Sequence, residues 1–543
     1  MDVSARPVAG LTRANLWYAA VAVVLLLGLA LRLKGLHDPI LDHPAWRQGD
    51  TASIARNFAT LQFNPLYPQT NYDGPPPNYV ELELQIVPLF AAALYKLFGV
   101  HEVFGRLITI GFSLGTVAVL AFFARWLFTS PSAGIAAALL FAIMPGSVYY
   151  GRSFTPDATM VFFLTAALYV CARLILGFEA MSWRRTIGAT ALLAAAYLAK
   201  PVALAGLLVV LALIFQRARA ARDVPWGQIG TLVLVPLALL AFYDRAVSAH
   251  AEWHWASGIT TLHVIPALKV ALTSAGAFAI KWGQFHAVLS VLMRTMLGPM
   301  CSALAILGVL FSPSSTRCRT LLFAWLAAGL AYTYVVVTVE RVDYYMFLLL
   351  PLAALFGAGF AARLIGAIRD SGLSPSIRYA AAAAALVLVA AGVGQNRVVA
   401  APYYRYSKSV YRNAQTLNTT LAPGALVVMA HYDPSILYYI GRYGWEEDPY
   451  LWTPFDEQSA IAKGARYFID IERNRFARNV ELCAWMTRFP IVNTRAKWIV
   501  YRTDPALVLP QAESQWRSFR NAEKAGAARQ WLDKRGLCRP ASR

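Results

Sequence analysis

Long apolar stretches recur along this chain of 543 residues, and they constrain its fold more than any other feature. A helix that crosses a membrane needs about 20 mostly apolar residues, and about eleven runs approach that length. They lie at 16–33, 104–128, 132–149, 157–177, 186–199, 201–215, 229–246, 290–311, 320–339, 344–365 and 378–394. Charged residues make up only 14% of the chain, against roughly 25% in soluble domains. The sequence therefore predicts an α-helical polytopic membrane protein and excludes an ordinary soluble enzyme.

The first apolar run, 16–33, could be either a signal peptide or a first span. Its basic start suits both, but no small-x-small cleavage site follows it, and Arg32 and Lys34 come instead. We therefore expect an uncleaved span. A shorter apolar run at 86–98 is too short to cross the bilayer and is predicted to lie at its surface.

The basic residues of the short connections predict which side of the membrane each connection faces. Cytoplasmic loops carry an excess of Lys and Arg. With the N-terminus inside, clustered basic residues such as Arg184 and Arg185 fall on the cytoplasmic side. The opposite connections hold Arg152, Lys200 and Arg341, each standing alone. The bias is the same along the whole chain, so it predicts one consistent orientation.

This orientation divides the chain into two predicted parts. The transmembrane module covers 1–395, and its loops 34–103 and 247–289 lie on the outer side. The tail, 396–543, has no run long enough to span and alternates strand-like with helix-like stretches, which predicts a small soluble α/β domain. The strand-like stretches are Leu426–Met429, Tyr467–Ile471 and Trp498–Tyr501.

The net charge of +20 and the five cysteines carry less information about function. Lys and Arg are scattered between apolar runs, so the charge indicates topology and anionic lipid partners rather than nucleic acid. The cysteines show no CxxC or Cys/His metal spacing. Cys483 and Cys538 both fall on the outer side, where an oxidising compartment permits a bridge. Their separation does not determine their distance, so the pairing stays open.

Ionisable residues at the ends of apolar runs are the candidates for chemistry, because placing charge there costs free energy. Carboxylates and cations from separate connections converge on the outer side. The candidates are Arg47, Gln48 and Asp50 after the first run, Glu81 and Glu83 before the short run, Arg152 and Asp157 in one turn, Lys200 between two runs, and Arg341, Tyr344 and Tyr345 in another turn.

Transfer of a sugar from a lipid phosphate needs this mixture of groups. A carboxylate deprotonates the acceptor hydroxyl, and cations or a metal ion neutralise the departing phosphate. Arg suits bidentate contact with phosphate, and Lys serves as a point charge.

Plainer roles exist for the same residues. Asp157 could cap the helix that it opens, and Lys200 and Arg341 could be cations that reach from the membrane to its surface. Arg47 could pair structurally with Asp42 or Asp50, and Tyr344 and Tyr345 could be interfacial aromatics. Two other functions also stay open, a transporter or flippase of a polar or lipid-linked substrate and a structural subunit. The absence of charge at the span centres favours chemistry at the membrane surface over transport.

The order of several weak motifs resembles a known family. An Asp follows the first run, and then come "LFAAALYKLFG", "GRLITIGFSLGTVAVLAFFARWLF", "RSFTPDATMVFF", "LAKP" and "RVDYYMFLLLPLAAL". Over roughly residues 16–365 this order is similar to the GT-C glycosyltransferases, in particular bacterial relatives of the protein O-mannosyltransferases and of the aminoarabinose transferase that modifies lipid A.

The resemblance implies an inverting glycosyltransferase of the bacterial inner membrane that faces the periplasm. Its donor would be a polyprenyl-phosphate-linked sugar, and its acceptor a hydroxyl of a lipid, a polysaccharide or a protein. The family's first-loop carboxylate maps to Asp50, and an acid that can share a divalent metal ion (Mg, Mn or Zn) with it maps to Asp157. Glu83 is a second candidate carboxylate on the acceptor side. The family's Lys between two spans maps to Lys200, and its Arg/Tyr group before a late span maps to Arg341, Tyr344 and Tyr345. Lys200 and Arg341 are expected to hold the donor phosphate. The further substrate-binding candidates are Tyr344, Tyr345, Arg47, Gln48, Glu81 and Arg152.

Overall fold

The computed structural model describes residues 13–220, 224–311, 316–492 and 497–535, together with Cys538. Helices dominate the part before the tail. They are α1 (Arg13–Arg32), α2 (Ala45–Thr60), α3 (Ile86–Phe98), α4 (Glu102–Leu127), α5 (Pro131–Ile143), α6 (Pro145–Tyr150), α7 (Asp157–Ile175), α8 (Trp183–Ala199), α9 (Ala205–Ala220), α10 (Trp226–Ser248), α11 (Trp255–Gly258), α12 (Ile265–Thr273), α13 (Ala275–Val291), α14 (Pro299–Phe311), α15 (Thr316–Tyr332), α16 (Thr338–Glu340), α17 (Leu350–Asp370) and α18 (Pro375–Ala400). Two short parallel strands, β1 (Val80–Glu81) and β2 (Trp253–His254), join the segment between α2 and α3 to the segment between α10 and α11.

Nine helices among the described residues are long and apolar enough to cross a membrane, or ten if one bent pair counts as a single span. This confirms a polytopic helical membrane protein, with fewer spans by this criterion than the predicted eleven. The predicted span 132–149 is interrupted at Met144, whose extended backbone precedes Pro145, so α5 and α6 are each too short. The predicted span 186–199 is α8, which has 17 residues and falls just below the required length.

The segment 247–289, which the sequence predicts as a loop on the outer side, is largely helical. A π-helical turn over Ile259–Val264 joins α11 to α12, and Trp255–Thr273 is apolar enough to be a candidate span. Helix α13 then continues through a second π-helical turn and meets α14 at a bend of 117°. Gly298 lies at that bend with a φ of +79°, a left-handed conformation that other residues rarely adopt.

Small residues allow the helices of the transmembrane part to approach one another closely. A methyl group at Gly134 of α5 would lie 2.5 Å from the Ala121 carbonyl oxygen of α4. One at Gly308 of α14 would lie 2.1 Å from the Phe356 carbonyl oxygen of α17. Helices within a bilayer gain little from the hydrophobic effect between them, so such close backbone contacts supply packing energy instead.

The tail forms a small α/β domain, as the sequence predicts. Its elements are α19 (Lys408–Thr420), β3 (Leu426–Ala430), α20 (Pro434–Ile440), β4 (Gly444–Glu446), α21 (Pro454–Ala462), β5 (Ala465–Asp470), α22 (Arg473–Phe476), α23 (Val480–Met486), β6 (Ile491–Val492), β7 (Ile499–Arg502), α24 (Ala512–Lys524) and α25 (Ala528–Lys534). The sheet order is β4-β3-β5-β7-β6. Strands β4, β3 and β5 are parallel, whereas β7 pairs antiparallel with β5 and β6.

Alternating side chains of the tail strands enter two apolar clusters, one on each face of the sheet. Val428, Phe468 and Tyr501 lie in one cluster, and their strand neighbours face the other. Burial on both faces explains why these strands are rich in Val, Ile and aromatic residues. The three strand-like stretches predicted from the sequence are therefore β3, β5 and β7.

The tail docks directly on α2 and on the segment that follows it. The Gly74 backbone N–H donates to the Gly444 carbonyl at 2.8 Å, and Tyr443 Oη donates to Asn57 Oδ1 at 2.7 Å. Gly49 of α2 lies against α20 so closely that a methyl group there would come within 2.7 Å of Ser435 Cα. The tail is thus part of the surroundings of α2 rather than a separate appendage.

We expect the tail to contain one disulfide, because Cys483 and Cys538 are paired with their Cα atoms 6.1 Å apart. Their thiols should react with a maleimide only after the unfolded protein has been reduced. A loop of this size typically contributes about 4 kcal/mol to stability in the chain-entropy model, so reduction should also lower the melting temperature of the tail. Equal labelling with and without reductant would contradict the pairing.

Candidate active site

A cavity of about 630 Å³ is lined by side chains from four parts of the chain, 46–83, 200–208, 255–268 and 328–345. One end is polar and the other is apolar. The polar end is lined by Arg47, Asp50, Glu83, Lys200, Tyr344 and Tyr345. The apolar walls come from α9, from the 255–273 helical segment and from α15 with the turn after it, and include Leu208, Ile265, Leu268, Ala331 and Val335. The cavity is therefore amphiphilic.

Asp50 lies at the polar end, on the buried face of α2. Its Oδ1 accepts a hydrogen bond from Tyr72 Oη at 2.7 Å, and its Oδ2 has no hydrogen-bond partner in the described part of the chain. The nearest cation is Arg47, whose Nη1 lies 3.8 Å from Oδ2. Burial raises the pKa of Asp50 to about 7, although Arg47 and Tyr72 act in the opposite direction. A carboxylate with such a pKa and a free oxygen can act as a general base near neutral pH.

Glu83, the rival carboxylate, is already engaged by a cation. It forms a buried ion pair with Arg47, in which Arg47 Nη2 donates a hydrogen bond to Glu83 Oε1. Both side chains are at most 7% exposed. The backbone carbonyl of Glu83 accepts from Gln85 Nε2 at 2.7 Å, which fixes the segment after β1. Glu83 is therefore placed to orient Arg47, whereas Asp50 keeps a free oxygen.

Asp157 and Lys200 form a second buried ion pair, of which Lys200 lines the cavity and Asp157 does not. Lys200 Nζ donates to Asp157 Oδ1 at 2.6 Å, and the same ammonium lies 4.7 and 4.5 Å from the ring centroids of Tyr344 and Tyr345. Lys200 reaches this position because α8 ends just before Pro201, which opens a short 3₁₀ turn. Asp157 is the first residue of α7, but its Oδ1 bonds to Lys200 and its Oδ2 has no hydrogen-bond partner among the described residues, so the side chain does not cap the helix. Asp157 therefore pairs with Lys200 instead of capping the helix that it opens.

Three of the residues predicted to bind substrate, Arg152, Gln48 and Arg341, do not line the cavity. Arg152 is fully buried and donates to Asp42, and the Gln48 side chain donates to Asp42 Oδ1 at 2.8 Å. Gln48 Oε1 also accepts from the Phe154 backbone N–H at 3.1 Å. These contacts hold α2 against the turn before α7. Arg341 is exposed, with a φ of +54°, and does not line the cavity.

Glu81 also lies outside the cavity lining but next to it. Its carboxylate accepts from the Ser257 backbone N–H at 3.2 Å and from Ser257 Oγ at 2.7 Å. This contact ties β1 to α11, whose Trp255 lines the cavity. Substrate-binding roles for Gln48, Glu81, Arg152 and Arg341 stay predictions, and the hydrogen bonds of the first three favour structural roles.

Two aromatic residues at the site are not predicted as such from the sequence. Tyr72 bonds to Asp50, and Trp255 lines the cavity. The two rings stack with centroids 5.3 Å apart, so Trp255 covers the tyrosine that bonds to Asp50. The 34–84 segment contains many Tyr, Pro and Asn residues, and nothing in the sequence distinguishes Tyr72 among them. The sequence predicts Trp255 as a membrane anchor first and a substrate contact second.

The residues present do not suit a divalent metal ion shared by Asp50 and Asp157. Lys200 Nζ already pairs with Asp157 Oδ1, which places a positive charge beside the carboxylate that would bind the metal ion. Within the described ranges, no group of three His, Cys, Asp or Glu side chains could hold a metal ion. Metal sites of this kind usually need several oxygen or nitrogen ligands. The metal site stays a prediction that this donor set does not favour.

Comparisons with known proteins agree with the fold. Residues 85–242 match the family model of the dolichyl-phosphate-mannose-protein mannosyltransferases. The matched region contains Asp157 and Lys200 but ends before α11, and Asp50 precedes it. A search of the curated proteins finds no match.

Solved structures similar to this chain cover almost its whole length. ArnT from Cupriavidus metallidurans in the apo state has a TM-score of 0.56 and 15% identity, over 92% of this chain and 100% of that chain. Its complex with undecaprenyl phosphate has a TM-score of 0.52, 15% identity and coverage of 92% and 99%. The archaeal oligosaccharyltransferase AglB from Archaeoglobus fulgidus, in complex with an inhibitory peptide and a dolichol-phosphate, has a TM-score of 0.54, 12% identity and coverage of 92% and 75%. The matches confirm the resemblance to GT-C glycosyltransferases, and the solved structures share the fold.

Proposed function

We propose that this protein is a glycosyltransferase that moves a sugar from a polyprenyl-phosphate donor to a hydroxyl group of a membrane-bound or periplasmic acceptor. The observation that carries the proposal is the amphiphilic cavity, in which an apolar wall leads to two buried cations and a carboxylate with a free oxygen. A lipid phosphate has the same division into an apolar chain and a charged head. The matched mannosyltransferase family and the undecaprenyl phosphate complex of ArnT support a donor of this class.

The donor phosphate fits between Lys200 and Arg47. Both cations line the polar end of the cavity, and each is held in place by its own carboxylate. The tyrosine rings beside Lys200 shield it from water, which strengthens its attraction to phosphate. The first isoprene units would then lie along α9, the 255–273 helical segment and the turn after α15. This arrangement stabilises the phosphate as negative charge develops on it.

Asp50 would activate the acceptor. Its Oδ2 removes the proton of the acceptor hydroxyl, and the acceptor oxygen attacks C1 of the donor sugar. The bond between C1 and the phosphate oxygen breaks, and polyprenyl phosphate leaves with the bonding electron pair. Attack on the face opposite the phosphate inverts the configuration at C1. The proton ends on Asp50 and passes to water as the products leave.

We place the protein in a bacterial inner membrane, with the active site and the tail on the periplasmic side. Two observations support this orientation. The basic residues of the short connections cluster on the side opposite the site. The tail contains a disulfide, and disulfides persist mainly in oxidising compartments. A reporter that is active only in the cytoplasm should therefore be silent when fused after the C-terminus.

The proposal is tested with purified protein, a panel of polyprenyl-phosphate sugars and an extract of bacterial membranes. At least one donor should be consumed, with release of free polyprenyl phosphate and labelling of an acceptor in equal amounts. Parallel reactions with EDTA test whether a divalent metal ion is needed. Donor that crosses a proteoliposome membrane without being consumed would contradict the proposal and favour a transporter.

A further inference from the structure

The proposed reaction restricts where the transferred sugar lies in the amphiphilic cavity. Its C1 carbon is bonded to the donor phosphate, which is assigned to Lys200 and Arg47, and faces the acceptor oxygen, which is assigned to Asp50. All three side chains line the cavity. The sugar ring therefore occupies the part of the cavity between Lys200 and Asp50, which we call the sugar position. The side chains around it determine which sugar the cavity accepts.

Trp46 of α2 borders the sugar position. It lines the cavity together with Asp50, four residues further along α2, and residues four apart lie on one face of a helix. The centroid of its six- and five-membered ring system lies 6.5 Å from that of the Tyr344 ring, which is itself 4.7 Å from Lys200 Nζ. Trp46 is therefore close to both the base and the cation assigned to the phosphate, as the sugar must be.

Trp46 does not serve the packing of α2. Its side chain is 40% exposed, whereas residues 47–55 of the same helix are all buried. The face of an indole ring is electron-rich, and the C–H bonds on one face of a sugar ring are apolar with a slight positive charge, so the two surfaces attract each other. An exposed indole that lines a polar cavity is thus available to stack on a sugar.

Trp255 adds a second indole to the cavity lining, from a different part of the chain. Its ring stacks on that of Tyr72, with an interplanar angle of 24°, and Tyr72 donates to Asp50. This contact places Trp255 near the base. Ligand pockets are typically lined by aromatic side chains with a few polar groups that fix orientation, and this end of the cavity has that composition.

The charges around the sugar position favour a neutral sugar. Asp50 and Glu83 are the two carboxylates that line the cavity in the described ranges, and Glu83 is already paired with Arg47. Asp50 faces the acceptor in the proposed reaction. An ammonium group on the sugar would have no other free carboxylate in the lining, and the buried cations Arg47 and Lys200 would repel it.

We infer that Trp46 stacks on the ring of the donor sugar and that this sugar carries no charge. The inference rests on the proposed transferase function, because that function assigns the phosphate and the acceptor to their places in the cavity. It adds a residue that selects the donor and a chemical class for the sugar.

The test measures binding to the purified full-length protein in the absence of an acceptor. The probes are farnesyl phosphate alone and farnesyl phosphate carrying glucose, mannose or galactose, or the 2-amino form of each hexose. Isothermal titration should show at least one neutral hexose probe binding about three- to tenfold tighter than farnesyl phosphate alone, the size of an aromatic stacking contact. That probe should also bind tighter than its 2-amino form.

Trp46→Leu keeps an apolar side chain and removes the aromatic face. It should abolish the preference for the hexose probe over farnesyl phosphate, while the affinity for farnesyl phosphate itself stays near that of the wild type. Trp253→Leu is the matched control, because Trp253 is 41% exposed, close to the value for Trp46, and lies outside the cavity lining. This control should keep both affinities.

Three results would overturn the inference while leaving the transferase proposal intact. The first is a hexose preference that survives in Trp46→Leu. The second is an equal loss of affinity for farnesyl phosphate and for the hexose probe in that variant, which would place Trp46 against the lipid phosphate. The third is a wild-type protein that binds no neutral hexose probe tighter than farnesyl phosphate, or that binds a 2-amino form most tightly. Failure to consume any polyprenyl-phosphate sugar would instead overturn the transferase proposal, whatever the titration shows.

Discussion

Asp50→Asn is expected to lower kcat by about 10²- to 10⁴-fold, the usual effect of losing a general base. The substitution keeps the size of the side chain and its hydrogen bond from Tyr72, so it removes basicity without disturbing packing. Donor affinity should change little, because the donor phosphate is held by the cations Arg47 and Lys200. Single-turnover release of polyprenyl phosphate, measured beside donor binding, separates the two effects.

Glu83→Gln is the matched control for the Asp50 variant, because both positions hold buried carboxylates in one cavity. A glutamine can still accept a hydrogen bond from Arg47, so this variant should keep more activity than Asp50→Asn. If the Asp50 variant turned over within a fewfold of wild type while the Glu83 variant was inactive, the base would be Glu83.

Lys200→Gln is expected to raise the donor KM by about ten- to hundredfold. A charge-assisted contact with phosphate contributes roughly 1.5–3 kcal/mol, and the neutral amide cannot replace it. The amide can still donate to Asp157, so the variant should insert and fold. The donor KM is measured with a soluble short-chain polyprenyl-phosphate sugar at a saturating acceptor concentration.

Arg341→Gln is the control for the Lys200 variant. The resemblance assigns both residues to the donor, but Arg341 is exposed and outside the cavity lining. Its loss should leave the donor KM within about twofold, because surface charges contribute little. A larger effect at Arg341 than at Lys200 would mean that the donor phosphate lies outside the amphiphilic cavity.

The sequence alone predicts which side of the membrane the site lies on and several of its residues. Asp50, Asp157 and Lys200 each follow or precede an apolar run at its outer end. Ends of neighbouring membrane helices on one side lie at the same depth, so these residues are restricted to one layer. Their proximity within that layer is a property of the helix packing, which the spacing of the runs does not determine.

Ion pairs within the site could not be assigned from the sequence. Arg47 makes the 3.8 Å contact with nearby Asp50 that the sequence suggests, but its shorter ion pair is with Glu83, 36 residues away. Arg152 pairs with Asp42, across 110 residues. Several acidic residues could reach each buried arginine. Only the packing of the folded chain determines which of them forms the ion pair.

The contact between the tail and α2 could not be predicted from the sequence either. Its strands follow from alternating apolar residues, but nothing in their pattern indicates that α20 rests on Gly49. The helical segment 255–273 is not predicted because Gly258, Pro266 and several Ser and Thr residues resemble loop signals. The apolar walls of the cavity depend on that segment.

The pH dependence of kcat/KM tests the central claim, that Asp50 is the base, most directly. An ordinary aspartate ionises near pH 3.9, whereas burial raises the pKa of Asp50 to about 7. A base acts only when deprotonated, so activity should rise as the pH increases through about 7. The Tyr72 hydrogen bond lowers this pKa, so Tyr72→Phe should move the rise to higher pH. A rise near pH 4, or one that stays in place in the Tyr72 variant, would contradict the assignment of Asp50 as the base.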